Sequence, residues 1–280
     1  MTETVDFPVT TYDHPLPVPF EPPLLNPTGL GLFPATTWTE IGSDQPSRHL
    51  GGVEIRPVGN YGGEHASGVW NAPWCAEPTP GQTKTGTRPA ILDPFDPITV
   101  WAYDECDLTE PSRAEVQDHA AQILRLEEQV MVEREFAERL KLDAADLGTP
   151  QTAATFRQAV GYLEGAMALT DTLGYFHVGA QWVSQTWGLV VKSGTRWVSP
   201  LGHIWVIGGG YVEGLNDGTH DMIVATSQPF GWRDQPQLRT AIDERANIFA
   251  AVAERSVVVG YEACVAAVTV TEPAPEEPAP

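Results

Sequence analysis
Three cysteines are all that the 280-residue chain holds, and Cys75, Cys106 and Cys264 form neither a CxxC pair nor an even-numbered disulfide framework. They predict buried or idle thiols in a reducing cytoplasm. Positive charge is scarce too: 16 Lys and Arg stand against 37 Asp and Glu, for a net charge of -21. A chain of that sign does not wrap nucleic acid by neutralising phosphates. No apolar run approaches about eighteen residues, so no membrane-spanning helix is expected. The opening MTETVDFPVT has neither a basic n-region nor an apolar h-region, and no signal peptide is expected from it.

Catalytic patterns are equally sparse. Gly208-Gly209-Gly210 with Gly214 follows an apolar run, but its spacing is neither GxGxxG nor GxxxxGK[ST]. It predicts a tight turn; a nucleotide-binding enzyme built on it is the weakest alternative. His65 beside Glu64 and His220 beside Asp221 fall short of metal-ligand spacing, and Ser184 and Ser193 lie in no GxSxG context. Glu127, Glu128, Glu133 and Glu135 predict a solvated or subunit-facing side of a long helix. Neither catalytic residues, nor a metal site, nor a cofactor is expected, and the chain reads as a non-enzyme.

What is present is organised around residues 97–147. Ile98, Val100 and Ala102 alternate with Thr99, Trp101 and Tyr103, the period of a strand packed on one face. Ser112 or Thr109 offers an N-cap, with Glu115 completing a capping box after Ser112. Residues 113–142 hold no Gly or Pro, and Val116, Ala120, Ile123, Leu124, Val130, Met131 and Phe136 recur at helical spacing. This predicts one long spine helix, closed near Gly148 before Pro150.

Residues 1–50 read as an extended arm in which repeated proline allows neither helix nor central strand. Phe7, Tyr12, Phe20, Phe33 and Trp38 ride on it and call for another surface to lie against. Residues 51–96 read as an extended hairpin loop, with strands at 53–58 and at 69–75 or 84–92. Its Trp70 and Trp74 are too apolar for a free tip, so contact with another subunit is expected. Residues 97–150 form the strand and spine of a peripheral domain, and 151–255 an axial α/β domain. Within the latter, helices are expected at 152–172, 179–186 and 240–254. A hairpin is expected across 189–198, and strands at 203–207 and 222–226. Residues 256–270 would close the chain as a return strand paired with 97–106, and 271–280 form an acidic Pro-rich tail. The fold class is α+β.

This order of parts resembles the major capsid proteins of tailed bacteriophages, whose fold encapsulin shells share. The matching stretches are the Pro-rich arm, GGVEIRPVGNYGGEHASGVWNAPWC as the loop, DPFDPITVWAYDECD with RAEVQDHAAQILRLEEQVMVEREFAERL as strand and spine, TWGLVVKSGTRWVSPLGHIWVIGGGY as the axial portion, and ERANIFAAVAERSVVVGYEACVAAVTV as the close. Several look like capsid proteins of actinobacterial phages. The resemblance implies hexamers and pentamers of an icosahedral shell, assembled in a bacterial cytoplasm. Such a shell encloses double-stranded DNA without sequence-specific binding, with portal and decoration proteins as partners. The chain shows no N-terminal coiled-coil scaffolding segment, which implies a separate scaffolding protein or none. With Lys84, Lys141 and Lys192 as its only lysines, it shows no Lys–Asn cross-linking pair. An encapsulin-type compartment with enzyme cargo stays open as the alternative.

Overall fold
The computed structural model describes residues 20–42, 51–71, 74, 75, 77, 83–186 and 188–271. Within them the chain is α+β: two mixed sheets share one long helix, α2 (Glu110–Asp146). At 37 residues α2 is roughly 55 Å long. It begins three residues before the predicted start, with Pro111 in its first turn, where a missing N–H costs nothing. Thr109 occupies the N-cap position. No capping box forms; the Thr109 hydroxyl bonds Asp107 and Ser112 instead. Gly148, at φ +102°, follows the last turn as expected.

Residues 116, 120, 124, 128, 132, 136, 140 and 144 of α2 are all buried. A strict four-residue step advances about 40° beyond a full turn, so the buried stripe winds roughly 280° around the helix. The spine therefore presents different sides to its neighbours along its length. Its partners include β2 (Ile98–Cys106), β11 (Ile248–Tyr261), the short helix α4 (Tyr211–Gly214) and α1 (Leu32–Ala35).

The first sheet is built on β11. The first half of this 14-residue strand lies between β2 and β10 (Gln237–Asp243), and its second half pairs with β9 (Pro229–Arg233). β1 (Thr37–Glu40) adds in parallel to β9. The second sheet runs β3 (Gln151–Ala153), β12 (Cys264–Val270), β8 (Asp221–Thr226), β4 (Tyr175–Gly179), β7 (Ile204–Gly208), β6 (Arg196–Val198), β5 (Val191–Ser193). It is covered on both sides. Phe176, Val178, Trp205 and Ile207 pack under α3 (Phe156–Thr170), whereas Tyr175, Ile204 and Val206 join the core that includes the spine. Burial on both faces explains the unbroken apolar run in β7 and the full burial of β4, where the one polar side chain, His177, is hydrogen-bonded.

Four expectations are corrected. The predicted helix over 240–254 is the β10–β11 hairpin. Asp243 Oδ1 accepts from the N–H groups of Arg245 and Ala246, and Asn247 takes φ +57°, so the chain turns where a helix would have continued. Residues 264–270 do not pair with 98–106; that strand is joined by Phe249–Val257, and β12 lies in the other sheet. The arm does form structure: Leu32–Ala35 is helical, with Pro34 in its first turn, and Thr37–Glu40 is an edge strand, both positions that proline-rich sequence tolerates. The expected helix at 179–186 is a 3-10 turn over Ala180–Gln185.

Candidate functional site
The arm reaches the body as a strap along the spine. Gln122 Nε2 donates to the Leu25 carbonyl at 2.7 Å, Arg125 bonds Asn26, and Gln129 Nε2 donates to the Leu30 carbonyl at 2.7 Å. Gln129 Oε1 accepts from the Phe33 N–H at 3.2 Å, and Glu133 Oε1 from the Leu32 N–H at 2.9 Å. Contacts advance together in both segments, so the strap runs parallel to the helix. The grip falls mainly on the strap's backbone, which leaves its side chains to other surfaces. Leu32 is fully buried, whereas Phe20 is 82 % exposed and Leu24 and Leu25 are also exposed.

Glu133 is the deepest member of this row, with no exposed surface. Its second oxygen accepts the Gly210 N–H at 2.9 Å, and Gly209 also donates its backbone N–H. A Cβ on Gly208 or Gly210 would come within 2.6 Å of the Glu133 side chain, which is why this loop is glycine. Burial pushes the Glu133 carboxyl up to about 7, against the opposite pull of its N–H donors. The glycine turn is thus filled by a carboxylate of the chain itself, not open to a phosphate. Glu128 is buried too, paired with Arg255 at 3.1 Å. Both findings correct, for Glu128 and Glu133, the expectation of a solvated or subunit-facing side; Glu127 and Glu135 are exposed.

Behind this junction lies a closed polar chain. The Thr226 hydroxyl donates to the Ser227 carbonyl, so it accepts from His177 Nε2–H at 2.9 Å, and His177 Nδ1 accepts from the Tyr211 hydroxyl at 3.0 Å. Full burial lowers the His177 imidazole to about 3 and keeps it neutral.

The loop of residues 51–96 is tied at its base. Val53 and Phe95 exchange both backbone hydrogen bonds at 2.9 Å, and the Thr87 N–H donates to the Glu64 carbonyl at 2.9 Å. The two legs therefore run antiparallel as 53–64 against 87–95, bridged at points in place of the predicted continuous strands. Arg139 donates to the carbonyls of Asp93 at 2.7 Å and Pro94 at 2.9 Å while pairing with Asp143 at 2.8 Å. Glu262 receives Val58 N–H and Asn60 Nδ2. Beyond these ties the loop is open: Trp74 is 95 % exposed, Val58, Val69 and Ile91 are exposed, and Lys84 lies 4.9 Å over the half-covered Trp70.

The aromatic residues singled out in the sequence therefore divide. Phe7 and Tyr12 lie outside the described residues. Phe20, Trp70 and Trp74 are exposed. Phe33 and Trp38 instead pack against their own body: their rings meet edge-on at 4.9 Å, Trp38 Nε1–H donates to the Phe33 carbonyl, and Arg233 caps Trp38 at 4.5 Å. Cys75 and Cys106 are exposed rather than buried, and burial pushes the Cys264 thiol up to about 12. Sequence reasoning missed Arg139 and Glu262, and misjudged Glu133, which it placed on a solvated or subunit-facing side. The one available signal was the four-residue ladder on the spine, which passes through Glu128 and, one row over, through Gln129, Glu133 and Ala137.

No protein-family model matches the chain, and no curated protein matches its sequence. Among solved structures it is similar to the mature capsid of bacteriophage PhiM1, at 12 % identity and TM-score 0.42 over 95 % of this chain and 92 % of that one. It is similar to a structure from Microbacterium phage Oxtober96, at 12 % identity and TM-score 0.47 over 94 % and 96 % of the two chains. It is also similar to the SrpI encapsulin of Synechococcus elongatus PCC 7942, at 10 % identity and TM-score 0.40 over 63 % and 74 %.

Proposed function
We propose that the chain is the major capsid protein of a tailed bacteriophage, assembling into hexamers and pentamers of an icosahedral shell around double-stranded DNA. One observation carries this reading. The two sheets and the spine enclose two buried apolar cores, yet the strap and loop project Phe20, Leu24, Leu25, Val69, Trp70 and Trp74 into solvent. Soluble monomers rarely expose so much apolar surface on extensions; copies of the same chain would cover it. Interfaces of several thousand Å² per subunit are then expected. The net charge of -21 suits a container that does not grip its cargo. Portal and decoration proteins, and a scaffolding protein if assembly needs one, would be its partners, with assembly in the host cytoplasm. Sedimentation and electron microscopy of the purified protein test the reading: closed megadalton particles support it, and a chain that stays monomeric under all assembly conditions ends it.

A further inference from the structure
Glu133 bonds two elements to the spine at once, the strap and the glycine turn. From the spine it holds the strap at Leu32 with one oxygen and the turn after β7 at Gly210 with the other. Among the described residues no cation pairs with it: the neighbouring Arg134 is turned to Glu213 at 3.1 Å. Gly29 to Ala35 of the strap contributes no titratable side chain. The glycine turn contributes Tyr211, whose hydroxyl burial raises well above its usual value, and the exposed Glu213. His177, on β4 behind Tyr211, is neutral and engaged with it. On the spine itself the adjoining groups are Gln129, bonded to the strap, Arg134 and the exposed Glu135. A carboxyl in this setting feels its own burial more than any neighbouring charge.

We propose that Glu133 is a proton-operated latch that decides whether the strap around Gly31–Leu32 lies docked on its own body or is released. The docked strap is what seals the carboxyl from water; with the strap lifted, water reaches it. The docked state therefore holds the proton more tightly, because burial penalises only the charged form. Linkage then sets the sign: docking is favoured at acidic pH and weakens as pH rises from the free carboxyl range toward about 7. Gly31 is built for this position. It takes φ +93°, and a Cβ there would run into Gln129 and Glu133. The inference goes beyond the shell reading and does not depend on it, since every contact lies within one chain.

Amide hydrogen exchange on the full-length chain tests it, with rates corrected for intrinsic pH dependence. Protection at the Leu32 amide should fall by about 50-fold between pH 5 and pH 8. Protection at Val224, in the middle of the second sheet, should not follow the same profile. In Glu133→Gln the pH dependence at Leu32 should vanish. If that variant does not fold, Gly31→Ala gives the second arm: it should expose Leu32 at every pH while leaving Val224 protected. A flat profile at Leu32 in the wild type, a Leu32 profile that merely tracks Val224, or a slope retained in Glu133→Gln overturns the latch.

Discussion
The guanidinium of Arg139 lies 4.0 Å over the ring of Phe95. One side chain on the spine thus caps the aromatic plug of the loop while binding the two carbonyls before it and the Asp143 carboxylate. Asp143 in turn accepts from the Tyr261 hydroxyl at 2.6 Å, and Tyr261 meets Phe95 edge-on at 5.2 Å. The loop is hinged on a closed ring of contacts, and its distal part is left to reach outward.

Arg139→Ala should cost about 3 kcal/mol, because it leaves a buried carboxylate without its cation. Arg139→Lys should recover only part of this, since an ammonium cannot serve two carbonyls and a carboxylate from one plane. Guanidinium unfolding gives the first number, and protease cleavage near Asp93–Asp96 reports the loosened hinge.

Glu128 and Arg255 form a buried pair in which both side chains are about one-tenth exposed. Removing either alone should cost roughly 3–5 kcal/mol, whereas the double change Glu128→Leu with Arg255→Leu should cost markedly less. A double-mutant cycle by denaturant unfolding checks this; additive losses would refute the pairing.

Two buried groups titrate in opposite senses. His177 is held down at about 3, so the native state binds fewer protons than the unfolded chain below pH 6.5, and stability is lost as pH falls through that window. Glu133 is held up at about 7, so the native state binds more protons above pH 4.5, and stability is lost as pH rises toward 7. Between 4.5 and 6.5 their contributions oppose each other, each with a slope of about 1.4 kcal/mol per pH unit. Replacing His177 by Gln should therefore make stability fall more steeply with rising pH over that range, and Glu133→Gln should make it rise more steeply. Urea midpoints at half-unit pH steps decide the matter.

Gly231 lies under Trp38, and a Cβ there would sit 2.5 Å from the indole. Gly231→Ala should force β1 off its edge at a cost of roughly 1–3 kcal/mol. A red-shifted tryptophan emission and faster proteolysis within 36–41 would register the displacement.

Truncation separates the strap's two parts. A chain beginning at Gly29 keeps Leu32, Phe33 and Trp38 and should unfold near the wild-type midpoint, yet fail to form closed particles. A chain beginning at Ile41 removes the fully buried Leu32 and should lose stability by several kcal/mol. Trp74→Ser should leave monomer stability within about 0.5 kcal/mol, since the side chain is nearly free, while assembly is lost.

The sequence by itself determined the elements whose signal is local. The spine was legible from an uninterrupted helical period between Pro111 and Pro150, β2 from strict alternation, and β7 from a continuous apolar run. The large side chains of the arm and loop gave no such discrimination: the same pattern covers Phe20, Trp70 and Trp74, which are exposed, and Phe33 and Trp38, which pack on their own body.

Only the tertiary structure decided what those elements meet. Residues 240–254 have apolar spacing that suits either a helix or a strand, and pairing with β2 along one edge of β11 chose the strand. β12 and β11 were interchangeable partners for β2 by composition, because backbone hydrogen bonding is blind to which distant strand supplies it. Glu133 looked like any surface carboxylate on a long helix. Its burial exists only because the strap and the glycine turn close over it from sites about 100 and 77 positions away in the chain. Desolvation is a property of what surrounds a group, and local sequence does not contain its surroundings.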